Sequence, residues 1–346
     1  MPDEQSKKVE FLSQFIECLK SIHPSKDEIV VYRGHSDAED YELKPGLFRK
    51  GKEKLRINED NIVRDIEAAR PMDFINERTT LDKLVKMQHY GLPTRLLDVT
   101  SSPLTALYFA VTPYEKEENG AVLALKIPKK LSKFFDSDTV ACLANLVYLT
   151  RQEKDYLFTL ANDYRSFKRM PIEDFRRNTY LNEENYSRFQ FFIEQTKNRE
   201  GMSCGEASYL EHEWDPLPDF LTTEKERQLA EINAKDVVVR LLHFIRADKP
   251  YFCPKICPTD LLRVLHVKTK QHNARIVAQN GAFLIFGLED KSSQEIPGIS
   301  IEKIVIHGKK KKEIAQNLSS LGISESSLFP ELECYTKHVV DVYKKS

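Results

Sequence analysis

The sequence predicts an α+β fold, with a central mostly antiparallel or mixed sheet, flanking helices and a helical insertion. Three observations predict it. Short apolar runs of strand character stand at residues 29–33 and 121–127, and strands return after Val237 at 262–267, 283–286 and 304–306. Segments with apolar residues at three- and four-residue spacing lie among them. Between the two groups of strands, residues 128–236 are rich in aromatic and charged residues at helical spacing. Residues 1–127 and 237–346 are therefore expected to be two parts of one domain, around an insertion or lid at 128–236.

Each element has a local reason. Residues 5–22 read as a helix, because Val9, Phe11, Leu12, Phe15, Ile16 and Leu19 recur on one face. The strand at 29–33 is expected to stop at Gly34. Residues 41–49, with Lys44-Pro45-Gly46 inside them, read as an irregular loop. Helices are expected at 58–70 and 80–90, broken by Pro71. Gly91 caps the second of these. Residues 94–98 read as extended, since the chain around Pro93 disfavours helix. Ser102 caps the next helix and Pro103 takes its first position. On that helix Leu104, Leu107, Tyr108 and Val111 line one face, while Ala106 and Ala110 permit close approach. Gly120 precedes a largely buried strand. The insertion has helical pieces at 141–149 and 151–164, with acidic loops such as 211–219. A last helix at 311–321 leads into Gly322.

Bulk properties exclude several classes. A chain of 346 residues, 41% hydrophobic and 30% charged, is a soluble globular protein with a sizeable core. The net charge is −1, so no overall positive field holds nucleic acid, although a local basic groove stays open. The basic run at 309–312 reads as a solvated turn between a strand and a helix. No apolar run spans a bilayer, and the acidic start differs from a secretory signal. Six scattered cysteines fit a reducing cytoplasm. Cys253 and Cys257 lack a second ligand pair, so no metal is expected. The phosphate loop, nucleophile elbow, zinc-protease helix and dinucleotide fingerprint are all missing.

Chemistry-bearing residues concentrate at 88–110, where a His, an Arg, an Asp and several hydroxyls meet a helix–strand–helix junction. Polar groups packed so closely form either a satisfied network or a binding site. Arg33, at the end of its strand beside Gly34, suits recognition of a carboxylate or diphosphate where backbone approaches a ligand. The competing reading pairs it internally with Asp98. Arg95 and Asp98 are three apart in extended chain and face opposite ways, so each needs a partner elsewhere, with Arg33 and His89 available. Arg95 leans to a ligand contact and Asp98 to a structural role. His89 stands at a helix end and suits capping. Ser102 is explained by capping, which leaves Thr100 and Ser101 as functional candidates. Further on, Arg275 and Gln279 precede an apolar run, with Gly281 expected at a tight turn or bulge.

These residues resemble the FRG domain family, whose aromatic-Arg-Gly motif is Tyr32-Arg33-Gly34 here. The resemblance continues through His89-Tyr90-Gly91-Leu92-Pro93-Thr94-Arg95-Leu96-Leu97-Asp98 and Pro103-Leu104-Thr105-Ala106-Leu107-Tyr108-Phe109-Ala110. It resumes at Arg275-Ile276, at Gln279-Asn280-Gly281-Ala282-Phe283-Leu284 and at Ser327-Leu328-Phe329-Pro330-Glu331-Leu332. Val99 departs from it, standing where the family often has an aromatic residue. A more distant similarity links Val31-Tyr32-Arg33-Gly34, Thr100-Ser101-Ser102 and Ala106-Leu107-Tyr108-Phe109-Ala110 to the Arg-Ser-Glu class of ADP-ribosyltransferases.

That similarity implies a nucleotide-type pocket and NAD-dependent ADP-ribosyl transfer. Arg33 would hold the NAD diphosphate, Tyr108 would stack on nicotinamide or ribose, and His89 and Arg95 would organise the site. Gly34, Thr94, Asp98 and Ser101 complete the implied cofactor contacts. The class also needs a catalytic Glu, and the matching strand start offers Gln279, with Glu289 as the displaced candidate. A cytoplasmic bacterial effector is implied, a toxin or phage-defence protein acting on a protein or nucleic-acid target. The alternative expectation is a non-catalytic module that binds nucleic acid or a protein partner.

Overall fold

The computed structural model describes residues 8–39, 42–115, 117–199, 217–271, 273–289, 296–331 and 336. Its strands are β1 (Lys8–Val9), β2 (Glu28–His35), β3 (Leu96–Thr100), β4 (Gly120–Pro128), β5 (Ser132–Phe134), β6 (Val264–Lys268), β7 (Gly281–Phe286) and β8 (Ser300–Ile306). They form one sheet in the order β1-β8-β4-β2-β3-β7-β6-β5. The two edge pairs, β1 with β8 and β5 with β6, are parallel, and the internal pairs are antiparallel. The fold is thus α+β around a mixed sheet.

The central pairing is uneven. Strand β2 pairs with β4 along its whole length, from Glu28 opposite Pro128 to His35 opposite Ala121. Strand β3 pairs with β7 from Leu96 opposite Ile285 to Thr100 opposite Gly281. Between β2 and β3 only Tyr32 and Thr100 are in register. The sheet therefore parts into two halves joined by one rung.

The helices are α1 (Leu12–Lys20), α2 (Glu53–Ile57), α3 (Glu59–Ala69), α4 (Thr80–His89), α5 (Pro103–Val111), α6 (Asp138–Asn145) and α7 (Arg151–Lys168). They continue as α8 (Ile172–Leu181), α9 (Glu183–Arg199), α10 (Leu217–Asn233), α11 (Asp236–Asp248), α12 (Ala274–Ala278), α13 (Lys311–Ser320) and α14 (Glu325–Leu328). Apolar alternation along the strands decides what each half packs against. Leu84 and Leu143 of α4 and α6 bury Leu96, Leu265 and Ile285 of the β3-β7-β6 half. Phe15, Leu107 and Ile314 of α1, α5 and α13 bury Val122, Ala124 and Ile306 of the other half. On the opposite face Val31, Leu97, Leu125 and Leu284 pack under Leu43, Ile296 and Ile299. Within residues 128–236, α6 joins the main core, while α8, α9 and α10 surround a separate group with Phe175, Phe189 and Phe220.

Local signals set the junction at 88–110. Leu92 N–H donates to the Met87 carbonyl and Gly91 N–H to that of Gln88, with Gly91 at φ 93°, which is the doubly bonded ending that favours glycine. Ser102 Oγ accepts from Thr105 N–H at 3.2 Å, and Pro103 starts α5.

Several expectations are corrected. Val9 belongs to β1, because a two-residue strand is too short to show a period, and the helix begins only at Leu12. Residues 5–7 lie outside the described residues, as do Tyr41 and 211–216. The strand at 29–33 runs on through Gly34 to His35. A side chain at Gly34 would place its Cβ 1.9 Å from the Ala106 carbonyl oxygen, so α5 takes the space a ligand was expected to use. Val237 begins no strand: residues 236–248 are α11, whose Val237, Val238, Leu241 and Ile245 recur on one buried face. The left-handed residue before β7 is Asn280, at φ 47°, instead of Gly281. In the basic run, Lys311 is fully buried and donates to the Ser36 carbonyl at 2.6 Å.

Candidate functional site

Where β2 and β3 part, a cavity of about 250 Å³ opens between α4 and α5. Its walls come from five places: Tyr32 and Arg33 on β2, Gln88 and His89 on α4, Asp98 and Thr100 on β3, Phe109 on α5, and the segment from Asn273 to Phe283. Two helices that cover different halves of the sheet cannot both cover its seam.

Arg33 spans the gap. Its side chain is 14% exposed, its Nη1 donates to the Asp98 main-chain carbonyl, and Nη1 lies 3.9 Å from the Asp98 carboxylate. Its Nε donates to His35 Nε2 at 3.2 Å. His35 is 3% exposed. Burial first, then the charges of Arg33, Arg49 and Lys303, pull its imidazole down to about 2. His35 is thus neutral and accepts the guanidinium proton. It stands two positions after Arg33 on one strand face, the spacing that brings them together.

Arg275 faces the same cavity. Its guanidinium lies over the Phe329 ring, 4.5 Å from the centroid. It makes no hydrogen bond or ion pair among the described residues. Phe329 in turn meets Phe109 edge to face at 6.0 Å. His89 approaches Glu331, with 3.9 Å between Nε2 and Oε1. The other Glu331 oxygen is buried and finds no hydrogen-bond partner among the described residues. Asp98 is the exposed carboxylate of β3, 64% exposed, and its Oδ1 accepts from Gln88 Nε2 at 3.0 Å.

The structure brings together Arg33, Gly34, His89, Asp98, Thr100, Arg275 and Gln279 of the residues singled out from sequence. Gln279 is tied down: its amide donates to the Leu328 carbonyl at 3.1 Å, and its own carbonyl accepts from Thr100 Oγ1 at 2.6 Å. Asp98, for which the sequence favours a structural role, lines the cavity with its carboxylate mostly exposed.

The others lie elsewhere. Arg95 is 2% exposed and forms a two-pronged pair with Glu59, Nε to Oε1 at 3.0 Å and Nη2 to Oε2 at 2.5 Å, while Nη1 reaches the Phe286 carbonyl at 3.1 Å. Its partner is Glu59, not Arg33 or His89. Thr94 is buried and donates to Gln88 Oε1. Tyr108 is 9% exposed within the α5 core, and Phe109, one position on, takes the cavity wall. Ser101 is exposed and bonds through its N–H to the Asn280 carbonyl at 3.1 Å. Glu289 pairs with Arg165 at 2.5 Å in a different cleft. His35, Phe109 and Glu331 were missed. The first is legible in hindsight from strand alternation, and Glu331 from its place in the final motif block.

Among the described residues no group of three or more His, Cys, Asp or Glu side chains is arranged to hold a metal, and no helix is long and apolar enough to cross a membrane. One family model, described as FRG domain, matches residues 28–119. No curated protein and no solved structure matches the chain. The matched span includes β2, α4, β3 and α5, while Arg275, Gln279 and Glu331 lie beyond it.

Proposed function

Starting from an FRG domain at residues 28–119, we propose that the cavity at the parted strands binds a nucleotide-type anion, with NAD as its ligand. The observation that carries this reading is Arg275. A guanidinium with no acceptor among the described residues lines a partly apolar cavity together with a second guanidinium, Arg33. Two planar forks lining one cavity suit a diphosphate, whose oxygens are spread over two centres. Phe109 offers the ring face that Tyr108 was expected to supply. A cavity of about 250 Å³ takes the anionic middle of a dinucleotide and leaves its ends in the open mouth.

ADP-ribosyl transfer is the reaction proposed for this pocket. It requires a carboxylate near the bond that breaks, and Gln279 is not one. Asp98 and Glu331 are the acids at this site. In the proposed step the acceptor gives its proton to one of them, bonds to the anomeric carbon, and nicotinamide leaves with the electron pair of the broken C–N bond. The target would be a protein or nucleic acid, in keeping with a toxin or phage-defence effector.

Titration of the full chain with NAD and with ADP-ribose tests the binding. Arg275→Ala is expected to weaken both roughly tenfold or more, since a hydrogen bond to a charged group contributes about 1.5–3 kcal/mol. No binding of either nucleotide by the wild-type chain overturns the reading. Labelled NAD incubated with cell lysate, with wild type against Arg33→Ala, tests transfer. Binding without label transfer or nicotinamide release removes the reaction and leaves the pocket.

A further inference from the structure

A site built only for a negative group would keep a carboxylate away from its guanidiniums. The cavity at the parted strands does the opposite. Asp98 lines it with a carboxylate 64% exposed and 3.9 Å from Arg33 Nη1. Leu96, Asp98 and Thr100 alternate onto one face of β3. On that face Leu96 is covered by Leu84 of α4, while Asp98 and Thr100 reach the cavity.

The carboxylate is held in place. Gln88 Nε2 donates to Asp98 Oδ1 at 3.0 Å, and Gln88 Oε1 accepts from Thr94 Oγ1. Thr94 is buried, and its hydroxyl accepts from Leu96 N–H at 3.1 Å. An ionised carboxylate only accepts, so Gln88 must turn its NH2 group to Asp98 and its oxygen to Thr94. This relay, anchored on the main chain, fixes Asp98 by one oxygen. The other, Oδ2, is the one near Arg33, and it makes no hydrogen bond among the described residues.

Glu59 shows how an acid of this protein serves cations directly: it accepts from Arg95 Nη2 and from Lys154 Nζ, the latter at 2.7 Å. Arg33 donates instead to the main-chain carbonyl of Asp98 and leaves the carboxylate beyond hydrogen-bond reach. A charged donor and a charged acceptor thus stand side by side across the seam.

We propose that Asp98 accepts from hydroxyls of a ribose joined to the diphosphate, a role that rests on the nucleotide reading of the same cavity. It makes the site select a ribosyl diphosphate over a bare one. Arg33 and Arg275 take phosphate oxygens, and Asp98 Oδ2 takes the hydrogen of a neighbouring sugar hydroxyl. A bare diphosphate brings Asp98 only like charge, which costs affinity.

Asp98→Asn separates the two ligands. Gln88 still donates to the side-chain oxygen that remains, so the other end becomes an NH2 group, which accepts nothing. The full chain and this variant are titrated by calorimetry with ADP-ribose and, separately, with inorganic pyrophosphate. Wild type should prefer ADP-ribose. The variant should bind ADP-ribose about tenfold more weakly, as loss of a hydrogen bond to a charged group implies. It should bind pyrophosphate as well as wild type does, or better. Melting temperature confirms that the variant is folded. Unchanged ADP-ribose affinity in the variant overturns the proposal, and so does an equal loss for both ligands; the nucleotide reading survives either result. A wild-type chain that binds neither ligand removes both.

Discussion

Arg33 and Arg95 are two guanidiniums of one domain that meet opposite fates. Arg95 is sealed, with both prongs on Glu59 and a third bond to the Phe286 carbonyl. Arg33 donates to a neutral imidazole and a main-chain carbonyl, and the exposed Asp98 carboxylate lies 3.9 Å away. Both are buried enough to need partners. The difference lies in what kind of partner each found. A carboxylate in a two-pronged pair meets a guanidinium's charge and its hydrogens together; a carbonyl and an imidazole meet its hydrogens.

Removing the Arg95 partner should produce the largest effect. Glu59→Gln leaves Arg95 and Lys154 buried without an anion, and breaking a buried pair in this way costs about 3–5 kcal/mol. Urea unfolding measures it. A loss near zero would place Arg95 and Arg33 in the same category after all.

Next in size is the pH response on the Arg33 side. His35 titrates near 6.5 when unfolded and at about 2 when folded. Between those values the unfolded chain binds a proton that the folded one refuses, so stability falls as pH falls below 6.5. The slope is about 1.4 kcal/mol per pH unit for this group. His266, which burial and then Lys268 hold at about 4, adds its own loss over a narrower range. Glu59 contributes the same sign further down: burial opposes its charge, Arg95 and Lys154 outweigh burial, and its stabilisation fades from the usual 4.5 towards about 2. Unfolding midpoints from pH 7 to 5 should drop less steeply in His35→Gln than in wild type. Equal slopes would mean that a neutral imidazole does not hold Arg33.

The smallest effect should come from Asp98→Asn. It keeps the carbonyl that Arg33 uses and removes only an exposed charge, so stability should change by no more than about 0.5 kcal/mol. Thermal or urea denaturation decides it. A loss comparable to that of Glu59→Gln would erase the contrast between the two arginines.

Much of the junction was legible because its signals are local. Gly91 ends α4, Ser102 and Pro103 begin α5, and each acts through atoms within a few residues. The strands at 29–33 and 121–127 were legible because their apolar runs pack on both faces, half-buried in the first and mostly buried in the second. What stayed hidden was long-range or too short to carry a period. Arg95 finds Glu59 across 36 residues, and no spacing announces that pairing. On α5 nearly every side is buried, so periodicity does not tell which of Tyr108 and Phe109 meets a cavity. Gly34 was read as making room for a ligand, while the neighbour that needed the room was a helix 72 residues later in the chain.

One rung, Tyr32 opposite Thr100, holds β2 to β3. A sheet is usually the least hollow part of a protein, since each strand closes the space left by the last. Here the lattice forks, and the notch between its branches is bordered by main chain on both sides. Anything seated in that notch stands in for the missing rungs, so occupancy and the stiffness of the whole sheet become one variable.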